Sequence, residues 1–227
     1  MKCLFIDETE CKQRDPNFFG VGGLFVDSFF YKTLKRSFKS CFESLGWDEK
    51  KELKGSYLFS SRKGDKNVPV DKRIKLVREI VDCTRAKQRS RINFYFTSNG
   101  KKRSEKNYLF LLKKIIKSLK NYPDKNDKNL VIITIHQCSE FKEKNIKKII
   151  NENLKARLVL FEKPFIIHSE NEACGMIIVD ILNYLKMWIV LNPEEKSQLK
   201  LFPSVNQKKL AQVTEILATI KNIKDVK

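Results

Sequence analysis

Residues 2–7, KCLFID, and residues 18–26, FFGVGGLFV, decide how the rest of the chain is read. The first is an almost wholly apolar run closed by an acid, the pattern of a short core strand. The second is apolar except for its glycines, which in a strand mark a bulge or a close backbone approach. Moving outward, Leu34, Phe38, Cys41, Phe42 and Leu45 recur at helical spacing and predict a helix over 29–45. Residues 47–68 read as irregular, with KELKGS and the turn-rich SSRKGDKN. Pro69 then suits the first turn of a helix reaching about Cys83, with Ile74, Val77, Ile80 and Val81 on one face.

The second half alternates in the same way. RINFYFTS (91–98) predicts a strand, followed by the basic loop NGKKRSEK. Tyr108, Leu112, Ile115, Ile116 and Leu119 line one side of a helix over 107–120. LVIITI (130–135) predicts a fully buried strand ending at His136, and 157–161 predicts another. Ser169 and Glu172 have the spacing of a capping box and predict a helix over about 170–190. A polar helix over 207–220 closes the chain. Mixed strands and helices with no linker or internal repeat predict one α/β domain over residues 1–227.

Charge narrows the function. The chain carries 46 Lys+Arg against 27 Asp+Glu, a formal +19, which predicts attraction to a polyanion, above all nucleic acid. A secretory signal is not expected, since no apolar core precedes the first acids. The longest apolar stretch, 176–191, is interrupted by Asp180, Asn183 and Lys186, so it reads as a buried helix rather than a membrane span, and no membrane partner is expected. Six scattered cysteines without a CxxC pair argue against a structural zinc site and for reduced thiols in the cytoplasm.

In so basic a chain, acids embedded in apolar sequence need explaining, because an unpartnered buried carboxylate costs several kcal/mol or takes up a proton. Asp7 closes the first strand, and Asp180 lies inside GMIIVDILNYL. Helical spacing places Asp180 on one side with Met176, Ile177, Asn183 and Tyr184, so Asn183 is expected to orient its carboxylate or a water. A divalent ion is the usual remedy for clustered buried acids. Glu52, in KELKGS beside Gly55, is the third candidate. Glu8 ranks below Asp7, since neighbours on a strand face opposite ways and both reach one ion only if the strand ends between them. His136, at a strand end, and His168, before the capping box, are accessory candidates.

Read in order, LFIDET (4–9), FFGVGGLFV, Glu52-Leu-Lys-Gly55 and IIVDILNYL (177–185) resemble the bacterial family catalogued as domain of unknown function 3800. The resemblance implies an RNase H-like fold, a mixed central sheet flanked by helices. It makes Asp7 the first-strand acid, Asp180 the last-helix acid and Glu52 the acid between them. His136 stands near where a further strand acid would be expected.

The implied activity is a nuclease that hydrolyses phosphodiester bonds of RNA or DNA. Asp7 would bridge two Mg²⁺ or Mn²⁺ ions roughly 3.5–4 Å apart, with Asp180 and Glu52 each completing one shell. Arg85, Lys87, Arg89 and Arg91, with Lys101, Lys102 and Arg103, would hold the backbone. The low arginine content favours phosphate contact over base reading. The alternative is a catalytically inactive nucleic-acid-binding or protein-interaction module of the same fold.

Overall fold

Strands β1 (Lys2–Cys11) and β2 (Phe18–Asp27) pair antiparallel along their whole length, from Lys2 opposite Asp27 to Cys11 opposite Phe18. The computed structural model describes residues 1–12, 17–47, 53–59, 68–83, 92–119, 129–136, 141–154, 158–160, 162–167, 173–202, 207–223 and 226. β3 (Ile92–Asn99) pairs antiparallel with β2. On the other side, β4 (Asn129–His136) runs parallel to β1, and β5 (Leu158–Leu160) and β6 (Phe165–Ile167) run parallel to β4. The result is one six-stranded mixed sheet of order β3-β2-β1-β4-β5, with β6 also on β4. β2 alone runs against the others.

The first strand runs four residues beyond its predicted end. Its pairing with β2 continues through Asp7 opposite Gly22 and Glu8 opposite Val21, so Asp7 lies inside the strand. Continuous ladder hydrogen bonds outweigh the polar character of residues 8–11.

Period two sends the residues of β1 to opposite faces. Cys3 and Phe5 join the core made with α1 (Ser28–Leu45), α3 (Val70–Cys83), α6 (Cys174–Leu191) and α8 (Gln207–Lys221). Leu4 and Ile6 join the core made with α4 (Glu105–Ser118) and α5 (Glu143–Asn153). Asp27 caps α1 by accepting from the Phe29 N–H at 3.0 Å, and its other oxygen takes the buried Lys2 ammonium at 2.8 Å. Gly46, at φ 71°, closes α1 in the left-handed conformation that glycine tolerates.

α6 organises the first face. It has the length and mean hydropathy (1.7) of a membrane span, but 67% of it is buried inside the protein. Its Lys186 is buried too, with Nζ donating to the Ile223 carbonyl at 2.5 Å. The helix starts at Cys174, after Ala173 with no side-chain cap, rather than near residue 170. Ser169 and Glu172 lie outside the described residues.

Within 47–68, expected to be irregular, α2 (Gly55–Phe59) packs against α6, with the Phe59 ring stacked on Tyr184 at 5.6 Å. α5, β6 and the short α7 (Glu195–Leu199) were not expected. Leu130 is 42% exposed at the start of β4, so that strand is not buried throughout. Among the described residues Cys3, Cys11, Cys41 and Cys174 form no disulfide.

Candidate metal centre

The parallel pairing of β1 with β4 ends at Ile6 opposite Ile135, and Asp7, Glu8 and His136 come together just beyond it. Ligating atoms of the three side chains lie within 4.8 Å of one another. One cation with metal–oxygen distances of about 2.0–2.6 Å can span such a set. The strand does not end between Asp7 and Glu8, yet both carboxylates reach the same place. Asp7 arrives from the α6 face and Glu8 from the α4 face, and His136 joins them from the end of β4. His136 Nδ1 is 3.4 Å from Asp7 Oδ1.

Asp7 is only 2% exposed. Its Oδ2 has no hydrogen-bond partner among the described residues. A buried carboxylate oxygen left in that state is costly, and a proton or a cation relieves it.

Asp180 approaches from α6. Its half-buried carboxyl accepts a short hydrogen bond from the Gly55 N–H through Oδ2. Burial pushes its pKa up to about 7 and the Asp7 carboxylate adds to the rise, while the Gly55 N–H, Lys54 and His136 oppose it. Two acids far apart in sequence thus feel one another's charge. Asp180 stands outside the set of ligating atoms that Asp7 shares with Glu8 and His136, and Asp7 acts on it through charge.

Close approach sets this geometry. A Cβ on Gly55 would lie 2.6 Å from Tyr184 Cβ and 3.2 Å from Ile181 Cα, so only glycine lets the α2 backbone come near enough to Asp180. Asn183, fully buried one turn beyond Asp180, does not orient that carboxyl as expected. Its Nδ2 donates to the Asp7 main-chain carbonyl at 2.9 Å and ties α6 to β1 instead. The carbonyl lies within reach because Gly22, opposite Asp7, leaves room for the Asn183 amide. Sequence reasoning missed Lys54, the Gly55 N–H and Gly22 as parts of the site. The glycines were visible there, but the side chains that close on them were not.

Glu52 and His168 lie outside the described residues, as do Arg85, Lys87, Arg89 and Arg91. Glu52 precedes Leu53–Gly55 in sequence, and that segment carries the Asp180 contact. Lys101 and Lys102 are exposed in the loop between β3 and α4. Arg103 is turned inward, with Nη2 donating to Glu8 Oε1 at 3.0 Å.

Compared with protein-family models, curated proteins and solved structures, the chain matches none.

Proposed function

We propose that the chain is a divalent-metal-dependent nuclease of RNase H-like fold that hydrolyses phosphodiester bonds of RNA or DNA in the cytoplasm. One observation carries the reading. A buried Asp7, with one carboxylate oxygen lacking a hydrogen-bond partner among the described residues, has ligating atoms of Glu8 and His136 within 4.8 Å, and its charge reaches Asp180. The order β3-β2-β1-β4-β5 with β2 alone reversed supports the fold, and the resemblance in LFIDET, Glu52-Leu-Lys-Gly55 and IIVDILNYL supports the family.

The donor set fits a hard or borderline cation. Asp7, Glu8 and Asp180 offer carboxylate oxygens, and His136 offers a nitrogen that suits Mn²⁺ better than Mg²⁺. A bound cation would supply activation of a water and charge neutralisation at the leaving oxygen. Asp7, Glu8, His136 and Asp180 would hold the metal, and the family resemblance adds Glu52 to them. The Gly55 N–H fixes the Asp180 carboxyl, and Asn183 fixes the β1 backbone beneath Asp7. The formal +19 would draw the polyanion to the surface.

The test is incubation with labelled RNA and DNA with and without Mn²⁺, comparing wild type with Asp7→Asn. Metal-dependent cutting by wild type alone is expected. Equal activity in both proteins refutes the nuclease reading. Tight binding of nucleic acid with no cutting under any metal supports the inactive binding module instead.

A further inference from the structure

Arg103 is built into its position. It precedes Ser104, whose hydroxyl accepts from the Asn107 N–H at 3.3 Å and caps α4. Glu105 Oε1 accepts from the Lys142 N–H at 2.8 Å and from Asn145 Nδ2 at 3.0 Å, which holds the head of α5 against the head of α4. That contact brings Phe141 under Arg103, and the guanidinium carbon stands 5.3 Å from the ring centroid. An aromatic floor, a capped helix start and the Glu8 carboxylate thus hold one planar cation. Its side chain is 22% exposed and that of Glu8 is 11% exposed.

Glu8 faces both a cation and the acid cluster. Its carboxylate pairs with Arg103, and it lies within 4.8 Å of ligating atoms of Asp7 and His136. Three acids and a phosphodiester repel one another, so a site that takes such a substrate needs a cationic group beside it. A guanidinium supplies a fork that matches two phosphate oxygens, and a lysine ammonium does not.

We infer that Arg103 is a phosphate-binding residue of this site, held on Glu8 until a divalent cation takes over that carboxylate and leaves the guanidinium for the substrate. The inference rests on the metal-centre reading above and adds to it a coupling between cation and substrate binding.

Calorimetry with Mn²⁺ tests the first half on wild type, Arg103→Ala, Glu8→Gln and the double variant. Arg103→Ala should bind Mn²⁺ about five- to tenfold more tightly when Glu8 is present and show no gain in the Glu8→Gln background. Fluorescence anisotropy of a labelled oligonucleotide tests the second half, with Ca²⁺ or with EDTA. Wild type should gain severalfold affinity with Ca²⁺, and Arg103→Ala should not. Arg103→Lys keeps a cation beside Glu8, so it should hold wild-type Mn²⁺ affinity yet lose the oligonucleotide gain. Unchanged or weaker Mn²⁺ binding in Arg103→Ala, or an oligonucleotide gain equal to wild type, overturns the inference while the metal centre stands. No Mn²⁺ binding by wild type removes the metal centre itself, and the inference with it.

Discussion

Asn183 and Gly22 fill one space: the Cβ that Gly22 lacks would lie 1.8 Å from Asn183 Oδ1. The same amide donates through Nδ2 to the carbonyl of Asp7, the residue opposite Gly22 on the neighbouring strand. One buried side chain therefore sets the register of α6 on the sheet at the level of the acids. Asn183→Ala should destabilise the fold by about 1–3 kcal/mol, the usual cost of leaving a buried carbonyl without its donor. Gly22→Ala must displace the amide and should cost a similar amount. Because both changes break the same interaction, the double variant should cost far less than the two single losses together. Urea unfolding of the four proteins measures this, and simple additivity would show that the two residues act separately.

Gly55→Ala brings a methyl group against α6 backbone, not against a flexible side-chain tip. An added Cβ at 2.6 Å from Tyr184 Cβ can be relieved only by moving α2 away, which also withdraws the N–H from Asp180. A loss of about 1–3 kcal/mol is expected, the range for overpacking, together with weaker Mn²⁺ binding in calorimetry. Wild-type metal affinity in this variant would detach Gly55 from the site.

Stability should depend on pH through Asp180. Its carboxyl has an ordinary value of 3.8 and is raised to about 7 in the folded chain, by burial first and Asp7 second. Between those values the folded state binds more protons than the unfolded state, so in EDTA stability should fall as pH rises through that window. Asp27 acts the other way and lower on the scale. Burial pushes its carboxyl up, but the Lys2 hydrogen bond and the Phe29 N–H outweigh that and hold it below its ordinary value, so its contribution is lost only in stronger acid. Asp180→Asn should remove the fall, matching wild type near pH 4 and exceeding it above about pH 7. Denaturation midpoints across pH decide it, and parallel curves for the two proteins would count against the assignment.

If the nuclease reading holds, Asp7→Asn and Asp180→Asn should each lower cleavage on the order of a thousandfold, and the double variant should lose little more, since the two acids serve one site. EDTA should abolish cutting and added Mn²⁺ restore it. Single-turnover rates on labelled RNA and DNA provide the measurement. Full activity in EDTA would rule out metal assistance.

Nucleic-acid affinity should fall linearly on a logarithmic salt scale. Changing exposed Lys101 or Lys102 to Gln should flatten that slope by about one for each phosphate the variant no longer neutralises. Anisotropy over a potassium chloride series reads the slope, and an unaltered value in both variants would place the phosphate-binding surface elsewhere.

The elements with a full apolar stripe were legible from periodicity. Leu34, Phe38 and Cys41 on α1, Ile74, Val77 and Ile80 on α3, and Tyr108, Leu112 and Ile115 on α4 are all buried as their spacing predicted. α5 escaped notice because only Ile146, Ile149 and Ile150 interrupt its lysines, asparagines and glutamates, too short a stripe to stand out. β6 and α7 are shorter still, and their pairing and packing are non-local. Asp7 and Asp180 were legible for the opposite reason: a charge inside apolar sequence must be compensated wherever the chain puts it.

Hydrophobic spacing and charge composition were enough to place most strands and helices and to mark two anomalous acids, since both depend on local pattern and summed charge. The convergence of Asp7, Glu8 and His136, the tie from Asn183 to the Asp7 carbonyl and the pairing of Arg103 with Glu8 emerged only on folding. Each joins residues from separate elements, and which groups meet is settled by sheet register and by how closely glycines let α6 and α2 approach, quantities that no local stretch of residues encodes.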